Sequence, residues 1–337
     1  QKATGHSSKV ADWLRENWSD VDFTFTNAGL SSTCSMSGAF RLDRDVLSKG
    51  EVDLLIVEFA VNDDQDAGHD AQTATRGLEG ILQQYFRANP KGDAISVQFV
   101  NPAILEKKLA GEEATSVAAH KRVARHYDVP IVDIGEALAR ELEAGTMSWD
   151  EDYGGTHPNE SGYEFATKWI VKVIEDSTSG ETPQLVSLPE LLDPGSFARI
   201  EWVDPQEISW LGGWKWGTVS RALLPVGQIR EDYLEEKALR SDREGNYLYY
   251  NFSGNSLGAF VLAGPDAGGL EVSVNGGPWR SIELYHRFSK GLNYPRSVLL
   301  AEGLGNRFHT AAIRVVPSQT PESTGATATL LGLAVGR

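Results

Sequence analysis

The chain has 337 residues, 41% of them hydrophobic and 9% aromatic, which is enough apolar side chain to fill the cores of two domains. Its formal charge of −16 repels phosphate backbones and anionic membrane surfaces, so no nucleic acid and no membrane is expected as a partner and a neutral substrate fits better. One cysteine, Cys34, excludes an internal disulfide framework and a multi-cysteine metal site, and no apolar run approaches the roughly 18 residues of a bilayer span.

In chain order, the opening Gln1 to His6 has no signal-peptide character and no initiator methionine, so sequence upstream of it is expected. Val10, Trp13, Leu14 and Trp18 are spaced as one face of a helix over 9–18. Val21-Asp22-Phe23-Thr24-Phe25-Thr26 alternates and predicts a strand ending at Asn27-Ala28-Gly29. A polar loop leads into a helix with Phe40, Leu42, Val46 and Leu47. The nearly continuous apolar run Val52–Val61 predicts a central parallel strand, stopping at Asn62-Asp63-Asp64. A helix over 72–88 follows, then a strand over Ala94–Val100 that ends at Asn101-Pro102. A helix over about 113–127 and a strand over Val129–Ile134 come next, then a helix over 135–144. An acidic loop with Asp150, Glu151 and Asp152 precedes a last helix to about 176. Alternating strands and helices predict a parallel three-layer α/β/α sheet of flavodoxin-like type. Sites in such sheets form at the carboxyl ends of strands, where Gly29, Asn62 and Asn101 fall.

The second half differs. Residues 1–180 carry 17 basic and 30 acidic residues (−13), whereas 181–337 carry 14 and 17 (−3). After a Ser/Thr/Gly/Pro-rich stretch, short alternating runs recur at Ala198–Val203, Tyr247–Phe252, Leu257–Leu262, Leu270–Val274, His309–Val316 and Ala326–Val335. Turns such as Asn275-Gly276-Gly277-Pro278 separate them, which predicts an all-β, jelly-roll-like sandwich. The division expected is 1–178, a linker over 179–192, and 193–337. Trp202, Trp210, Trp214 and Trp216 are read either as core packing or as a sugar-stacking group, with packing preferred.

The chemistry centres on Gly154-Gly155-Thr156-His157-Pro158-Asn159-Glu160-Ser161-Gly162-Tyr163. Pro158 keeps His157 out of helical geometry, and Asn159 or Ser161 can cap the helix that follows. A histidine held this way is poised as a general base. Gly29 offers a backbone N–H with no side chain in the way, and Asn62 offers an amide N–H; both suit an oxyanion hole. Each also has a plain reading, Gly29 as a turn and Asn62 as a helix cap. His120 and His126 lie six apart on one helix, which favours surface or cap roles over a metal pair. Asp63-Asp64-Gln65-Asp66 reads as an acidic loop rather than a calcium site.

Asn27-Ala28-Gly29, Val57-Glu58-Phe59-Ala60-Val61-Asn62-Asp63 and His157-Pro158-Asn159-Glu160-Ser161-Gly162-Tyr163 together resemble the motifs of the SGNH (GDSL-like) hydrolase superfamily, over roughly residues 1–176. The resemblance implies ester hydrolysis by a Ser-His-Asp triad, with His157 as base and Gly29 and Asn62 in the oxyanion hole. It requires no metal or other cofactor. The family's nucleophile motif ends the first strand, which is expected upstream of Gln1; Ser7, Ser8, Ser31, Ser32 and Cys34 are weaker candidates. The family's triad acid falls three residues before the histidine, where Gly154 stands, so Asp152 is the nearest carboxylate, Asp150 the next, and a main-chain carbonyl the remaining orienter. The sandwich resembles carbohydrate-binding modules. The expected function is therefore deacetylation of carbohydrate esters. Two alternatives stay open: an esterase for aryl or short-chain alkyl esters with a structural sandwich, and a non-catalytic glycan-binding protein on a degenerate hydrolase scaffold. The sequence carries no signal for compartment or oligomeric state.

Overall fold

Helices and strands alternate through the first half, as the hydrophobic pattern requires. In the computed structural model, which describes residues 5–177 and 186–337, they are α1 (His6–Asn17), α2 (Ser35–Asp45), β1 (Leu54–Val57), α3 (Ala71–Ala88), β2 (Asp93–Gln98), α4 (Pro102–Leu109), α5 (Thr115–His126), β3 (Ile131–Asp133), α6 (Ile134–Ala144) and α7 (Glu160–Ser177). The second half is built of strands joined by turns and short 3-10 helices: β4 (Ile200–Val203), β5 (Ser209–Leu211), β6 (Lys215–Thr218), β7 (Lys237–Ser241), β8 (Tyr247–Gly254), β9 (Ser256–Ala263), β10 (Gly269–Val274), β11 (Arg280–Glu283), β12 (Tyr294–Ala301), β13 (Arg307–Val316) and β14 (Ala328–Gly336). The described residues cluster into two compact units, one holding those up to Gly29 and Asp45–Ser196, the other Leu30–Arg44 and Phe197–Arg337.

The first unit is a parallel sheet in the order β1-β2-β3, flanked by helices. Its core joins Ile95, Val97 and Val132 of the strands to Val10 and Leu14 of α1, Ile134 and Leu138 of α6, and Ile170 and Ile174 of α7. This is the expected α/β architecture with one correction. Val21–Thr26 forms no strand: it is irregular, with Phe23 stacked between Trp18 and Phe25. Alternation prepares a segment for a ladder, but a strand exists only where a neighbour takes its N–H and C=O groups. Among the described residues β1 pairs with β2 alone, and Leu54, Leu55 and Ile56 remain half-buried where β2 is almost wholly buried. The unit's last segment is tied down by the buried carboxylate of Glu79, which accepts from Leu192 N (2.6 Å), Asp193 N (3.1 Å) and Ser196 Oγ. The expected linker lies partly outside the described residues; from Val186 to Ser196 the chain belongs to the first unit. No helix among the described residues is long and apolar enough to cross a membrane.

The second unit is a sandwich of two antiparallel sheets, β11-β10-β13-β8-β5 and β12-β9-β14-β7-β6, with β4 added alongside β14. Leu248, Phe252 and Ile313 from one sheet and Leu257, Val261, Leu330 and Leu333 from the other share one core. Residues 35–45 form a helix as expected but pack here. The Phe40 ring meets Phe197 edge-on at 5.1 Å and leaves no space for a Cβ at residue 258, where the chain has glycine. Of the tryptophans, Trp214 is buried and Trp202 packs by Phe260, while Trp210 and Trp216 are exposed at the surface.

Candidate active site

His157 is displayed by a loop whose two ends are pinned by hydrogen bonds. At the upstream end a single π-helical turn, Trp149–Tyr153, is capped by Ser148. The Ser148 hydroxyl accepts from Asp152 N (3.2 Å), and the Asp152 carboxylate in return accepts from Ser148 N (2.7 Å) and Oγ (2.8 Å). These bonds hold the exposed Asp152 carboxyl below the usual carboxylate range. Tyr153, wholly buried, anchors the turn, and its carbonyl accepts from Asn159 N (2.9 Å). At the downstream end Asn159 Nδ2 donates to Glu151 O (2.9 Å), and Asn159 Oδ1 accepts from Gly162 N (2.9 Å) to cap α7. Of the two caps read from the sequence, Asn159 and Ser161, the helix uses Asn159. Between these anchors His157 is exposed in a bend.

Gly154 has a physical reason to be glycine. Its φ is +91°, and a Cβ there would come within 2.6 Å of Asn159 Cβ and run into Asn159 N. The position that the resemblance assigns to the triad acid therefore has no room for a side chain in this loop. Asp152 faces Ser148, and among the described residues no hydrogen bond or ion pair joins the His157 ring to a carboxylate.

Asn62 opens a second π-helical turn, Asn62–Asp66, just beyond the carboxyl end of β1. Its Nδ2 donates to Asp66 Oδ2 (2.7 Å) and its carbonyl accepts from Ala67 N (2.9 Å). Gly29 lies at the exposed end of the segment expected as a strand, and its N–H donates to Asn27 Oδ1 (3.0 Å). No hydrogen bond links Gly29, Asn62, Asp152 and His157 to one another among the described residues, although all four belong to the first unit. Of the nearby serines, Ser8 bonds to Gly5 O (2.7 Å) within the first turn of α1, and Ser31 reaches Asp232 (3.4 Å) in the second unit.

Three groups were not anticipated. His120 is not a surface residue: it is 1% exposed, with Nε2 2.9 Å from Asp63 Oδ2, and Asp63 has no exposed surface at all. Burial alone would raise the Asp63 carboxyl, but bonds from His120 and His69 outweigh it and hold it below the usual range. The spacing of Val117, His120 and Ala124 on α5 places His120 on the helix's apolar face, a signal legible in the sequence. Glu58 directly follows β1. Part of it reaches the surface, but its carboxyl is enclosed, and burial pushes it up to about 7 against a bond from Val61 N. A charged residue inside the apolar run Val52–Val61 was its signal. His6, with its ring 4.9 Å from Phe99, is pushed down by burial to about 4.

Residues 3–165, a stretch that contains Gly29, Asn62, Asp152 and His157, match the GDSL-like lipase/acylhydrolase family model. Two solved structures of a two-domain esterase active on acetylated mannans resemble the whole chain. One, co-crystallised with mannopentaose, is 19% identical, covers 99% of this chain and 86% of its own, and has a TM-score of 0.75. The other is 18% identical, covers 100% and 86%, and also scores 0.75. At such identity the likeness establishes the fold. No curated protein sequence matches the chain.

Proposed function

We propose, because residues 3–165 match the GDSL-like lipase/acylhydrolase family model, that the protein is a carboxylic ester hydrolase that works through an acyl-enzyme and removes acetyl groups from carbohydrates. The observation that carries the reading is the His157 loop, where an exposed imidazole is held between two anchored ends, as a general base requires. A serine hydroxyl attacks the acyl carbon while His157 takes its proton. The carbonyl π electrons move to oxygen, and Asn62 and Gly29 donate hydrogen bonds to the oxyanion. The intermediate collapses, His157 returns the proton to the leaving sugar oxygen, and the acyl group stays on the serine. Water deprotonated by His157 then attacks the acyl carbon, and as the second intermediate collapses His157 returns that proton to the serine oxygen, releasing acetate and free serine. Gly29 N–H must leave Asn27 Oδ1 to take part. Asp152 serves by shaping the loop through Ser148. Support for a sugar substrate comes from the fold shared with an esterase active on acetylated mannans.

The test is hydrolysis of p-nitrophenyl acetate and acetate release from acetylated mannan and xylan. His157→Ala should lower kcat by about 10^3-fold or more, and Asn62→Ala by about 10^2–10^3-fold, with both variants folded. Wild-type rates in both variants end the assignment. Rapid turnover of the aryl ester without acetate release from either polysaccharide turns the reading to a simple aryl or alkyl esterase.

The absence of room for a carboxylate at Gly154 favours one further reading, a glycan-binding protein without catalysis. A fluorophosphonate probe separates the two: stoichiometric labelling supports the esterase, and retained glycan binding without labelling supports the binder.

A further inference from the structure

Asn62-Asp63-Asp64-Gln65-Asp66 has the composition of a solvated acidic loop, yet Asp63 is 0% and Asp66 6% exposed. An ionised carboxylate withdrawn from water is costly unless its oxygens find donors. Asp63 has one in His120, with a second histidine close on its other side. His120 Nε2 lies 2.9 Å from Oδ2, and His69 Nδ1 lies 3.4 Å from Oδ1. A carboxylate only accepts, so the proton of His120 sits on Nε2. The backbone is closed around the same residue: Asp63 N donates to Phe59 O (2.9 Å), His69 N to Asp63 O (2.8 Å) and Ala67 N to Asn62 O (2.9 Å). Both sides of the Asn62 peptide are therefore tied, and the tie runs to α5 through His120. Asp66 acts on the side chain itself. Its Oδ2 takes one Nδ2 hydrogen of Asn62 at 2.7 Å, which fixes the amide plane and leaves the second hydrogen as the available donor.

We propose that Asp63, His120 and Asp66 are positioning residues for the Asn62 amide, the first two by pinning its turn to α5 and the third by fixing the amide plane. The inference rests on Asn62 serving as an oxyanion donor in the proposed function. Well-packed apolar residues would fill the space of a buried polar pair at no loss of stability, and often with a gain. What they would not do is hold a donor to within the fraction of an ångström that an oxyanion hole demands. One such donor is worth about 10^2–10^3 in kcat, so even partial misplacement is measurable.

A double-mutant cycle on p-nitrophenyl acetate hydrolysis tests this. His120→Phe keeps the ring volume and removes the donor, and should lower kcat about 100-fold with KM changed less than about threefold. His120→Gln, which carries an N–H at similar reach, should recover most of that loss. Asp66→Asn should lower kcat about tenfold and leaves the buried pair untouched. Placed on Asn62→Ala, His120→Phe and Asp66→Asn should each change kcat by less than about threefold, because the group they position is gone. If instead they lower kcat there by the same factors as in the wild type, they act elsewhere and the inference is overturned while the function stands. If Asn62→Ala alone keeps the wild-type rate, the role of Asn62 and this inference fall together. Should His120→Phe not fold by urea titration, the Asp66→Asn cycle decides alone.

Discussion

The two turns that present Asn62 and His157 share a geometry and are held by opposite means. Both are single π-helical turns, a rare element that concentrates at functional sites. The Asn62 turn is fixed from inside, by the Asp63 carboxylate buried against His120 and His69 and by Asp66 on the Asn62 amide. The His157 loop is fixed by main-chain bonds, a capping asparagine and a glycine with positive φ, with its own charged groups left in solvent. Under the proposed function, the difference follows from what each presents. An oxyanion donor works by standing still, and buried charge-assisted bonds in a low-dielectric interior are stiff. A general base must be reached by substrate and water, so its rigidity has to come from the backbone and leave the ring accessible.

This contrast also explains what was legible in the sequence. The His157 loop was readable because its devices are local: Pro158 restricts the residue before it, and Asn159 caps three residues on. The Asn62 turn was misjudged because its partners come from elsewhere in the chain, His120 lying 57 residues away. The fold divides in the same way. The strands of the sandwich with a strong apolar pattern, alternating in β8 and β13 and nearly continuous in β9 and β14, fall where that pattern places them. Lys215–Thr218 and Arg280–Glu283 were missed because few of their residues are buried, so no apolar period marks them. Val21–Thr26 has the period and lacks the ladder, and the helix over Ser35–Asp45 was found without any sign that its apolar face packs in the second unit. Local pattern identifies an element; what it pairs with is a property of the folded chain.

The sharpest way to break the contrast is to strain the His157 loop where it depends on backbone alone. Gly154→Ala puts a Cβ at φ +91°, against Asn159. Strain and clash together should cost about 2–4 kcal/mol of stability. Displacement of His157 by about 1 Å should lower kcat at least about 100-fold. Urea unfolding and p-nitrophenyl acetate kinetics read both. An alanine variant with native stability and rate would show that the loop is not held as described.

A second, smaller effect probes the buried charge near the other turn through pH. Glu58 is raised from 4.5 to about 7 in the folded protein, so between those values folding binds a proton and its contribution to stability falls as pH rises. His6 is lowered from 6.5 to about 4, so its contribution rises with pH across that window. Each is worth about 3 kcal/mol at full extent, and between pH 4.5 and 6.5 the two oppose one another. The wild type should therefore show a shallow stability profile there. Glu58→Gln should unmask the His6 limb, with stability climbing from about pH 4 to pH 6.5 and then levelling. Urea midpoints measured across this range decide it, and parallel profiles for the two proteins would remove Glu58 from the buried set.

The smallest effect separates two ways of orienting His157. If a carboxylate bonded directly to the ring and fixed its tautomer, converting it to an amide would lower kcat by about 10^4-fold. The Asp152 carboxylate instead bonds to Ser148 N and Oγ, and the turn it closes is also held by Tyr153 N to Ser148 O (3.1 Å) and Gly154 N to Trp149 O (2.9 Å). Asp152→Asn keeps an acceptor for Ser148 N and leaves those main-chain bonds intact. Its kcat should fall by less than about tenfold, with the pH dependence of kcat/KM unmoved, because the ring's own surroundings do not change. A loss near 10^4-fold would mean that Asp152 turns to the ring in the working enzyme, and that the His157 loop, like the Asn62 turn, relies on a charged partner. A loss below tenfold leaves the backbone as what holds the base.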